Sequence, residues 1–557
     1  MATYVTTSIS GLYQYVNGMH GGPRATSGDT ILVSGVALYV PGVNNANVPP
    51  LNPQPGVTIK NHPSNNTQAV IYGKNNINTL QIEGSGNSTW LNNPSIISGL
   101  TFVAGDASGT MPIGDYGWYS FKQCNVKIYD CQFSGKSTAQ SKNCFTAEAA
   151  SGKPCYVELY RVTVHSAGAD CLASKIDVND SAPDAQQSYV KAYDCYLYGA
   201  GQKHNGAVPA SNDQLFSSHE GFPIYIYGGK VANGIPCAGA DGYHYMYFTE
   251  VDTLTPIAGI SGQTNTKDLK DLYVTFGNVI NMDGTITSNT IDGTTGGRTY
   301  NASIGQTKMR DYGLVRSNYI IYNGRASNQN LFENSTVGYS GGNYAFIANM
   351  IAQSGTFPGD NFVIRQHRGY TSITGIVHSN ILIGLGQSAN GTQFVRISDT
   401  YVASGVTFTN LVYNNASIGG KAFLAYNNGT IPSGQGSITY ASNNFMTTNY
   451  PFDNASVDHS FGYIRFSGNL WNATQPTNFN APLFTQVGDT FSATAGVSGT
   501  RFSYYPTPGG NLDFGSGVIT QMPHANDGVG ETNIRGDYRG AKSRQQYNGE
   551  LFPTFVM

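Results

Sequence analysis

The chain has 557 residues, a formal net charge of −3 and only 11% charged residues, whereas glycine (68 residues) and tyrosine (37 residues) are abundant. The near-neutral charge gives no signal for nucleic-acid binding, and no apolar run is long enough for a transmembrane helix. The first residues lack the charged and apolar regions of a signal peptide. Low charge without an amphipathic helical repeat favours an all-β chain with many turns, and a neutral surface rich in tyrosine and amides suits glycans.

Residues 1–28 are expected to be an entry segment that caps the first regular coil. Helical character is predicted within residues 9–19, and a cap is needed because the end of a strand stack exposes unpaired edges. Short β-strand patterns begin at Asp29 and recur along most of the chain. We expect the regular stack to span residues 29–480, and residues 481–557 to form closing coils and a second cap.

A repeated corner residue marks the coils of the first half. Each corner is followed by an apolar residue and by a second one two positions later, as in Cys131/Phe133 and Cys195/Leu197. Such corners are expected to take the left-handed backbone conformation, which Gly, Asp and Asn tolerate best. The predicted corners, spaced by 31 to 34 residues, are Gly99, Asp130, Arg161, Asp194 and Gly228.

A corner asparagine recurs in the second half at comparable spacing. Stacked asparagine side chains can hydrogen-bond from coil to coil, as they do in the ladders of stacked strands. The residue after each asparagine, and the one two further on, are expected to face the core, as in Met350/Ala352 and Ile381/Ile383. The predicted ladder consists of Asn318, Asn349, Asn380, Asn410, Asn444 and Asn469.

Periods of this length predict a solenoid. A coil of about 31 residues accommodates three short strands and three turns of ordinary length. The sequence therefore predicts an all-β, right-handed parallel β-helix.

Motifs at both ends of the chain resemble one known group of proteins. Gly-Asp-Thr-Ile-Leu-Val at residues 28–33, Pro-Gly-Val-Thr-Ile-Lys at residues 55–60 and Ile-Ser-Gly-Leu-Thr-Phe at residues 97–102 resemble the opening of pectate-lyase-like parallel β-helix proteins. This group includes polysaccharide lyases and phage tailspikes. Residues 508–515, 537–540 and 548–552 resemble the closing pattern of bacterial members, although Ala481 and the Pro-Thr-Pro-Gly-Gly run depart from it.

The resemblance implies a tailspike-like protein of a phage virion that binds a bacterial surface polysaccharide outside the cell and depolymerises it. It also implies a homotrimer that contacts other virion proteins. A non-catalytic virion adhesin or decoration protein and a free polysaccharide lyase or glycoside hydrolase are the alternatives. Because this fold hosts many activities, the resemblance is specific for the fold rather than for the chemistry.

The long insert at residues 200–221 is the candidate active site, because long loops on a rigid solenoid often carry function. Hydrolysis of a glycoside needs two carboxylates, and Asp213, Glu220 and Asp241 are the candidates. A lyase needs a base, for which His219 or Lys203 is available, and His204 and His244 are candidate substrate contacts. The plainer interpretation is that these are solvated loop residues with turn-forming aspartates.

A second candidate contact surface contains Arg310, Arg365, His367 and Arg368. These cations either bind a glycan or pair with the nearby Asp311 and Asp360, a pairing worth little at a surface.

The seven cysteines lie between Cys124 and Cys237 without zinc spacing. Cys131 and Cys195 are expected to be buried, reduced thiols, and a disulfide between neighbouring coils is the alternative. No cofactor or metal set is indicated.

Overall fold

The computed structural model describes residues 1–35, 37–39, 49–73, 78–105, 117–135, 143–150, 153–165, 169–176, 188–200, 215–219, 222–232 and 244–252. Beyond residue 252 it describes the strands given below together with Asn318, Asn349, Asn380 and Asn415. The chain divides into two compact units. The first contains Met1–Leu272 and Ile286–Thr299, and the second contains Tyr273–Thr285 and Tyr300–Met557.

Up to residue 252 the chain consists mainly of short strands with few helices. In chain order the elements are β1 (Thr3–Thr6), α1 (Ile9–Asn17), a 3-10 turn (Met19–Gly21), β2 (Thr30–Val33), β3 (Ala37–Tyr39), β4 (Thr58–Asn61), β5 (Ala69–Tyr72), β6 (Leu80–Glu83), α2 (Ser88–Asn92), β7 (Ser95–Ser98), β8 (Leu100–Val103), β9 (Gly117–Lys122), β10 (Asn125–Tyr129), β11 (Gln132–Ser134), β12 (Asn143–Ala149), β13 (Tyr156–Tyr160), β14 (Thr163–His165), β15 (Leu172–Ile176), β16 (Tyr189–Tyr193), β17 (Tyr196–Tyr198), β18 (Phe216–His219), β19 (Ile224–Tyr227), β20 (Lys230–Ala232), β21 (His244–Tyr247) and β22 (Glu250–Asp252).

The elements described beyond residue 252 are all strands. They are β23 (Leu269–Lys270), β24 (Leu272–Phe276), β25 (Val279–Met282), β26 (Ala302–Gln306), β27 (Tyr312–Arg316), β28 (Tyr319–Tyr322), β29 (Gln329–Asn334), β30 (Asn343–Ile347), β31 (Met350–Gln353), β32 (Asn361–His367), β33 (Ile373–His378), β34 (Ile381–Ile383), β35 (Thr392–Ser398), β36 (Phe408–Tyr413), β37 (Ala416–Ile418), β38 (Ala422–Asn427), β39 (Gly436–Ala441), β40 (Asn444–Met446), β41 (Tyr450–Phe452), β42 (Ile464–Ser467), β43 (Leu470–Trp471), β44 (Phe484–Val487) and β45 (Thr490–Phe491).

Each unit stacks its coils through three parallel sheets, which confirms the predicted β-helix. In the first unit the first sheet contains β1, β2, β4, β7, β10, β13, β16, β19 and β21, the second contains β3, β5, β8, β11, β14, β17, β20 and β22, and the third contains β6, β9, β12, β15 and β18. In the second unit three parallel series of strands include β27, β30 and β33, then β28, β31 and β34, then β29, β32 and β35. Pairing is in register, so each residue lies beside its counterpart one coil away.

The N-terminal segment contains helix α1, within the residues predicted to be helical. Ser8 accepts the backbone N–H of Gly11 at its start, and Gly18 ends it in the left-handed conformation. Leu12, Tyr13 and Val16 are buried. Strand β1 already pairs in parallel with β2, so stacking begins within the segment predicted as an entry.

The five predicted corners of the first unit are confirmed. Their φ angles are 67° (Gly99), 53° (Asp130), 54° (Arg161), 52° (Asp194) and 68° (Gly228). The unexpected arginine corner is explained by its partner, because Arg161 Nε and Nη2 donate to Asp130 Oδ1 and Oδ2 at 2.6 and 2.9 Å. These bonds lower the pKa of Asp130.

The predicted inward residues of the first unit are also confirmed. Phe102, Phe133, Val164 and Leu197 are buried, and the rings of Phe102 and Phe133 stack at 5.0 Å. Cys131 and Cys195 are free, buried thiols, as expected, and burial raises the pKa of each to about 12.

An asparagine ladder is present in the second unit, but its fourth member is Asn415 rather than Asn410. Asn318 N–H donates to Asn349 Oδ1 at 3.0 Å, Asn349 N–H donates to Asn380 Oδ1 at 2.9 Å, and Asn380 N–H donates to Asn415 Oδ1 at 3.0 Å. The prediction of Asn410 was wrong, because Asn410 lies within β36 beside Gly375 and Ile438.

The prediction of Asn444 as a ladder member was also wrong, because Asn444 opens β40 opposite Ala416, one residue after the ladder position. Asn469 lies outside the described residues. The ladder asparagines are themselves buried, so the inward residues of the strands that follow are Ile320 and Ile351, one position later than predicted. A shift of one residue exchanges the two faces of a strand.

No helix among the described residues is long and apolar enough to cross a membrane.

Candidate functional site

Five tyrosines form a row on the outer side of the first sheet of the first unit. Each is the last residue of its strand and directly precedes a corner. In-register parallel pairing places such residues one strand spacing apart, so their rings stack. Ring centroids are 4.7 to 5.0 Å apart and ring planes differ by 8 to 10° along Tyr129, Tyr160, Tyr193, Tyr227 and Tyr247. The rings cover one another's faces and leave their edges toward solvent.

Several hydroxyls of this row have no protein hydrogen-bond partner among the described residues. They belong to Tyr129, Tyr193, Tyr227 and Tyr247, all of which are partly exposed. Burial raises the pKa of Tyr193 and Tyr247 and raises that of Tyr227 to about 12. These phenols therefore remain protonated at neutral pH and can both donate and accept hydrogen bonds.

Beside the row lies an ionic centre built around Glu158. Glu158 Oε2 is 3.0 Å from Lys127 Nζ and accepts the hydroxyl of Tyr160 at 2.7 Å, while Oε1 accepts the hydroxyl of Tyr189 at 3.0 Å. Burial alone would raise the pKa of Glu158, but the bonds from Tyr160, Lys127 and Tyr189 outweigh it and lower the pKa. This carboxylate is therefore ionised and well satisfied at neutral pH.

Lys191 is the cross-strand neighbour of Glu158 on the next coil. Its Nζ lies 4.1 Å from the ring centroid of Tyr189 and 5.9 Å from that of Tyr225. Within the described part of the chain it forms no ion pair with a carboxylate. We call the tyrosine row together with Lys127, Glu158, Tyr189, Lys191 and Tyr225 the tyrosine face.

An exposed aromatic residue lies at the border of this face. Phe248 follows Tyr247 at the corner, has 64% of its surface exposed and takes a φ of 52°. A bulky side chain in the left-handed region is an outlier, and such outliers cluster at functional sites.

His219, one of the predicted catalytic residues, ends β18 in register with Lys175. The same column continues through Glu148, Lys122 and Glu83 on successive coils, so acidic and basic residues alternate along it. Lys122 Nζ lies 3.8 Å from Glu148 Oε2. Only residues 220–223 separate β18 from β19 of the tyrosine face.

The other predicted site residues fall in several places. Asp213, Glu220, Asp241, His204, Arg310 and Arg368 lie outside the described residues. Arg365 lies in β32 between Glu333 and Arg396 on the neighbouring coils, and His367 ends the same strand opposite Ser398.

His244, a predicted substrate contact, is fully buried. Its ring packs edge-on against Phe216, with centroids 5.5 Å apart. It therefore lies inside the coil and not on its surface.

The tyrosine face itself was not predicted, although the sequence carries a signal for it. A tyrosine precedes the corner at Asp130, Arg161, Asp194, Gly228 and Phe248. Counting residue types at the position before the corner would have found the row.

Among the described residues, no three His, Cys, Asp or Glu side chains are grouped closely enough to hold a metal ion.

No protein-family model matches the chain, and no curated protein matches it. Tailspike protein 3 of bacteriophage CBA120 is similar in structure, with 10% identity and a TM-score of 0.33 over 84% of this chain, which spans 62% of the length of that structure. The surface protein and adhesin PfbA of Streptococcus pneumoniae is similar over 82% of this chain and 94% of its own, with 12% identity and a TM-score of 0.29.

Proposed function

We propose that this protein binds a bacterial surface polysaccharide along the tyrosine face. The observation that carries the proposal is the set of phenol hydroxyls that lack a protein partner among the described residues, on four of the five coils of the row. A polysaccharide is also a linear repeat of hydroxyl groups. Successive sugars can therefore exchange hydrogen bonds with successive tyrosines, and a preformed row loses little conformational entropy on binding.

The principal competing occupant of this face is a second copy of the chain. Stable interfaces between copies have apolar centres, whereas this face presents hydroxyls and the ammonium of Lys191. A polyhydroxylated partner therefore suits it better.

The assignment of a biological role follows the resemblance of the sequence to tailspike-containing β-helix proteins. We infer a tailspike-like protein that forms homotrimers, contacts other virion proteins and acts outside the host cell on its surface. A non-catalytic virion adhesin remains the alternative if the bound polysaccharide is not cleaved, and a free enzyme if the protein is not carried on a particle.

Cleavage of the polysaccharide is a second proposal, with Asp213, Glu220 and Asp241 as acid, base or nucleophile and His219 beside them. The observation that favours it is the backbone position of His219, next to Lys175 and a few residues before the tyrosine face. A hydrolase would use two of the carboxylates, and a lyase would use a base with a cation that neutralises the substrate carboxylate.

Binding to a panel of purified neutral and acidic bacterial capsular polysaccharides tests the first proposal. The triple variant Tyr193→Phe, Tyr227→Phe and Tyr247→Phe keeps the stacked rings and removes three hydroxyls. Each lost hydrogen bond is worth about 0.5–1.5 kcal/mol, so affinity is expected to fall about 10-fold or more.

The matched control is Tyr4→Phe, because Tyr4 also stacks on a tyrosine, Tyr15, but lies near the N-terminal cap. Its affinity should equal that of the wild type. Wild-type affinity in the triple variant, or a change in sedimentation without a change in polysaccharide binding, contradicts the proposal.

A further inference from the structure

Lys191 is a cation whose neighbours leave its charge uncompensated. Its Nζ lies 4.1 Å from the ring centroid of Tyr189 on its own strand and 5.9 Å from that of Tyr225 on the next. Aromatic faces attract a cation through their quadrupole, but they carry no net charge to balance it. In the described part of the chain no carboxylate pairs with it.

The carboxylate opposite Lys191 is engaged by three other donors. Glu158 is the cross-strand neighbour of Lys191, yet its two oxygens are taken by Lys127, Tyr160 and Tyr189. Among the three groups Lys127, Glu158 and Lys191, one positive charge is therefore in surplus. The two tyrosine rings fix the position of the Lys191 ammonium group.

We propose that Lys191 binds the carboxylate of an acidic sugar, so that the polysaccharide bound by the tyrosine face is a polyanion. This inference rests on the proposed function and names the chemical class of its ligand. The ammonium donates a charge-assisted hydrogen bond to the sugar carboxylate. The phenols of Tyr193 and Tyr227 on the same and the following coil bind hydroxyls of the neighbouring sugars.

This arrangement is expected to discriminate against neutral polysaccharides. A neutral sugar would cover Lys191 without supplying a negative charge, and a buried ammonium without a counter-ion is costly. Exposed charges are screened by salt, so the preference for the acidic polymer should weaken as ionic strength rises.

The test measures binding of the full chain to polygalacturonate and to polysialic acid, each beside its carboxyl-reduced, uncharged form. Wild type should bind at least one acidic polymer about 10-fold or more tightly than its reduced form, the scale of one hydrogen bond to a charged group. Lys191→Met should remove this preference, so that the acidic polymer binds no more tightly than its reduced form. Lys60→Met is the charge-matched control, because Lys60 is exposed in β4 of the same sheet, two coils before Tyr129 and beyond the end of the row.

The outcomes separate this inference from the proposed function. Equal binding of acidic and reduced polymers, or an unchanged preference in Lys191→Met, contradicts the proposal that the ligand is acidic. Either result leaves the proposal of polysaccharide binding intact. Loss of preference in Lys60→Met as well also overturns it, because the effect is then one of net charge. If the Tyr193→Phe, Tyr227→Phe, Tyr247→Phe variant binds every polymer as wild type does, the proposed function itself fails.

Discussion

The sulfur of Cys195 accepts the backbone N–H of Val162 at 3.4 Å, one coil away. Its single S–H can donate to the carbonyl oxygen of Leu159, at 3.6 Å, or to that of Tyr193, at 3.4 Å. In the second unit Asn349 makes the same two contacts, accepting from Asn318 N–H at 3.0 Å and donating to the Val315 carbonyl at 2.9 Å. A buried cysteine and a buried asparagine thus satisfy equivalent backbone groups.

Replacement of Cys195 tests this equivalence. Cys195→Val keeps apolar volume but leaves the buried N–H of Val162 without an acceptor, which costs about 1–3 kcal/mol. Cys195→Asn supplies an amide that can accept and donate as Asn349 does. We therefore expect the thermal unfolding midpoint to be lower for the valine variant than for the asparagine variant. The reverse order would mean that packing rather than hydrogen bonding determines this position.

The asparagine ladder should stabilise the second unit substantially. Asn349→Ala removes the partner of the Asn318 N–H and that of the Val315 carbonyl, and each unsatisfied group costs about 1–3 kcal/mol. Hydrogen exchange at the Asn318 amide should accelerate together with the loss of stability. Asn410→Ala, outside the ladder, is the control and should change both quantities much less.

Glu158 should make the first unit sensitive to acid. Burial opposes ionisation of this carboxylate, but the hydrogen bonds it accepts lower its folded pKa below the unfolded value of about 4.3. The ionised group therefore stabilises the fold above about pH 4.3, and this contribution is lost as the pH falls through the folded pKa. Glu158→Gln should be less stable than wild type at neutral pH, with a difference that shrinks in acid.

The comparison for Glu158 is Glu250→Gln. Glu250 pairs with Lys230 at 2.7 Å on the exposed outer side of the second sheet, and such pairs contribute little. A stability difference for Glu158→Gln that does not change with pH would contradict the assignment of ionised Glu158 as the stabilising species.

The proposed catalytic carboxylates can be tested by amide substitution. If the protein cleaves its polysaccharide, at least two of Asp213→Asn, Glu220→Gln and Asp241→Asn should lower the rate by about 10²-fold or more, the scale of acid–base catalysis. Reducing-end formation measures cleavage, and ultraviolet absorbance of unsaturated sugars identifies a lyase. Wild-type rates in all three variants would move the search to Arg365 and Arg368.

The sequence predicts the fold well because the corner pattern reports backbone conformation directly. Gly99, Asp130 and Asp194 are residue types that tolerate a left-handed corner, and all three adopt it. The second unit is harder because asparagine is favoured both at such corners and in a buried ladder. Sequence alone did not separate the two roles at Asn318, so the inward register was misplaced by one residue.

The candidate site is less predictable than the fold for a different reason. A search for acids and histidines finds the insert at residues 200–221, where ionisable groups are dense. The tyrosine face consists of residues far apart in sequence, and only the coil register places Tyr129 beside Tyr160. The ion pairing that leaves Lys191 uncompensated depends on side-chain geometry, which no spacing rule conveys.

In-register stacking also means that the number of coils sets the length of the tyrosine row. Tyr129 and Tyr160 occupy the same place on consecutive coils, so duplication of residues 130–160 would lengthen the row by one phenol, and deletion would shorten it by one. Each coil contacts only its neighbours in such a solenoid, so either change alters contacts only at the new junction, such as those of Glu158 with Lys127 and Tyr189. The length of the tyrosine row could thus change by duplication or loss of one coil, with new contacts at a single junction.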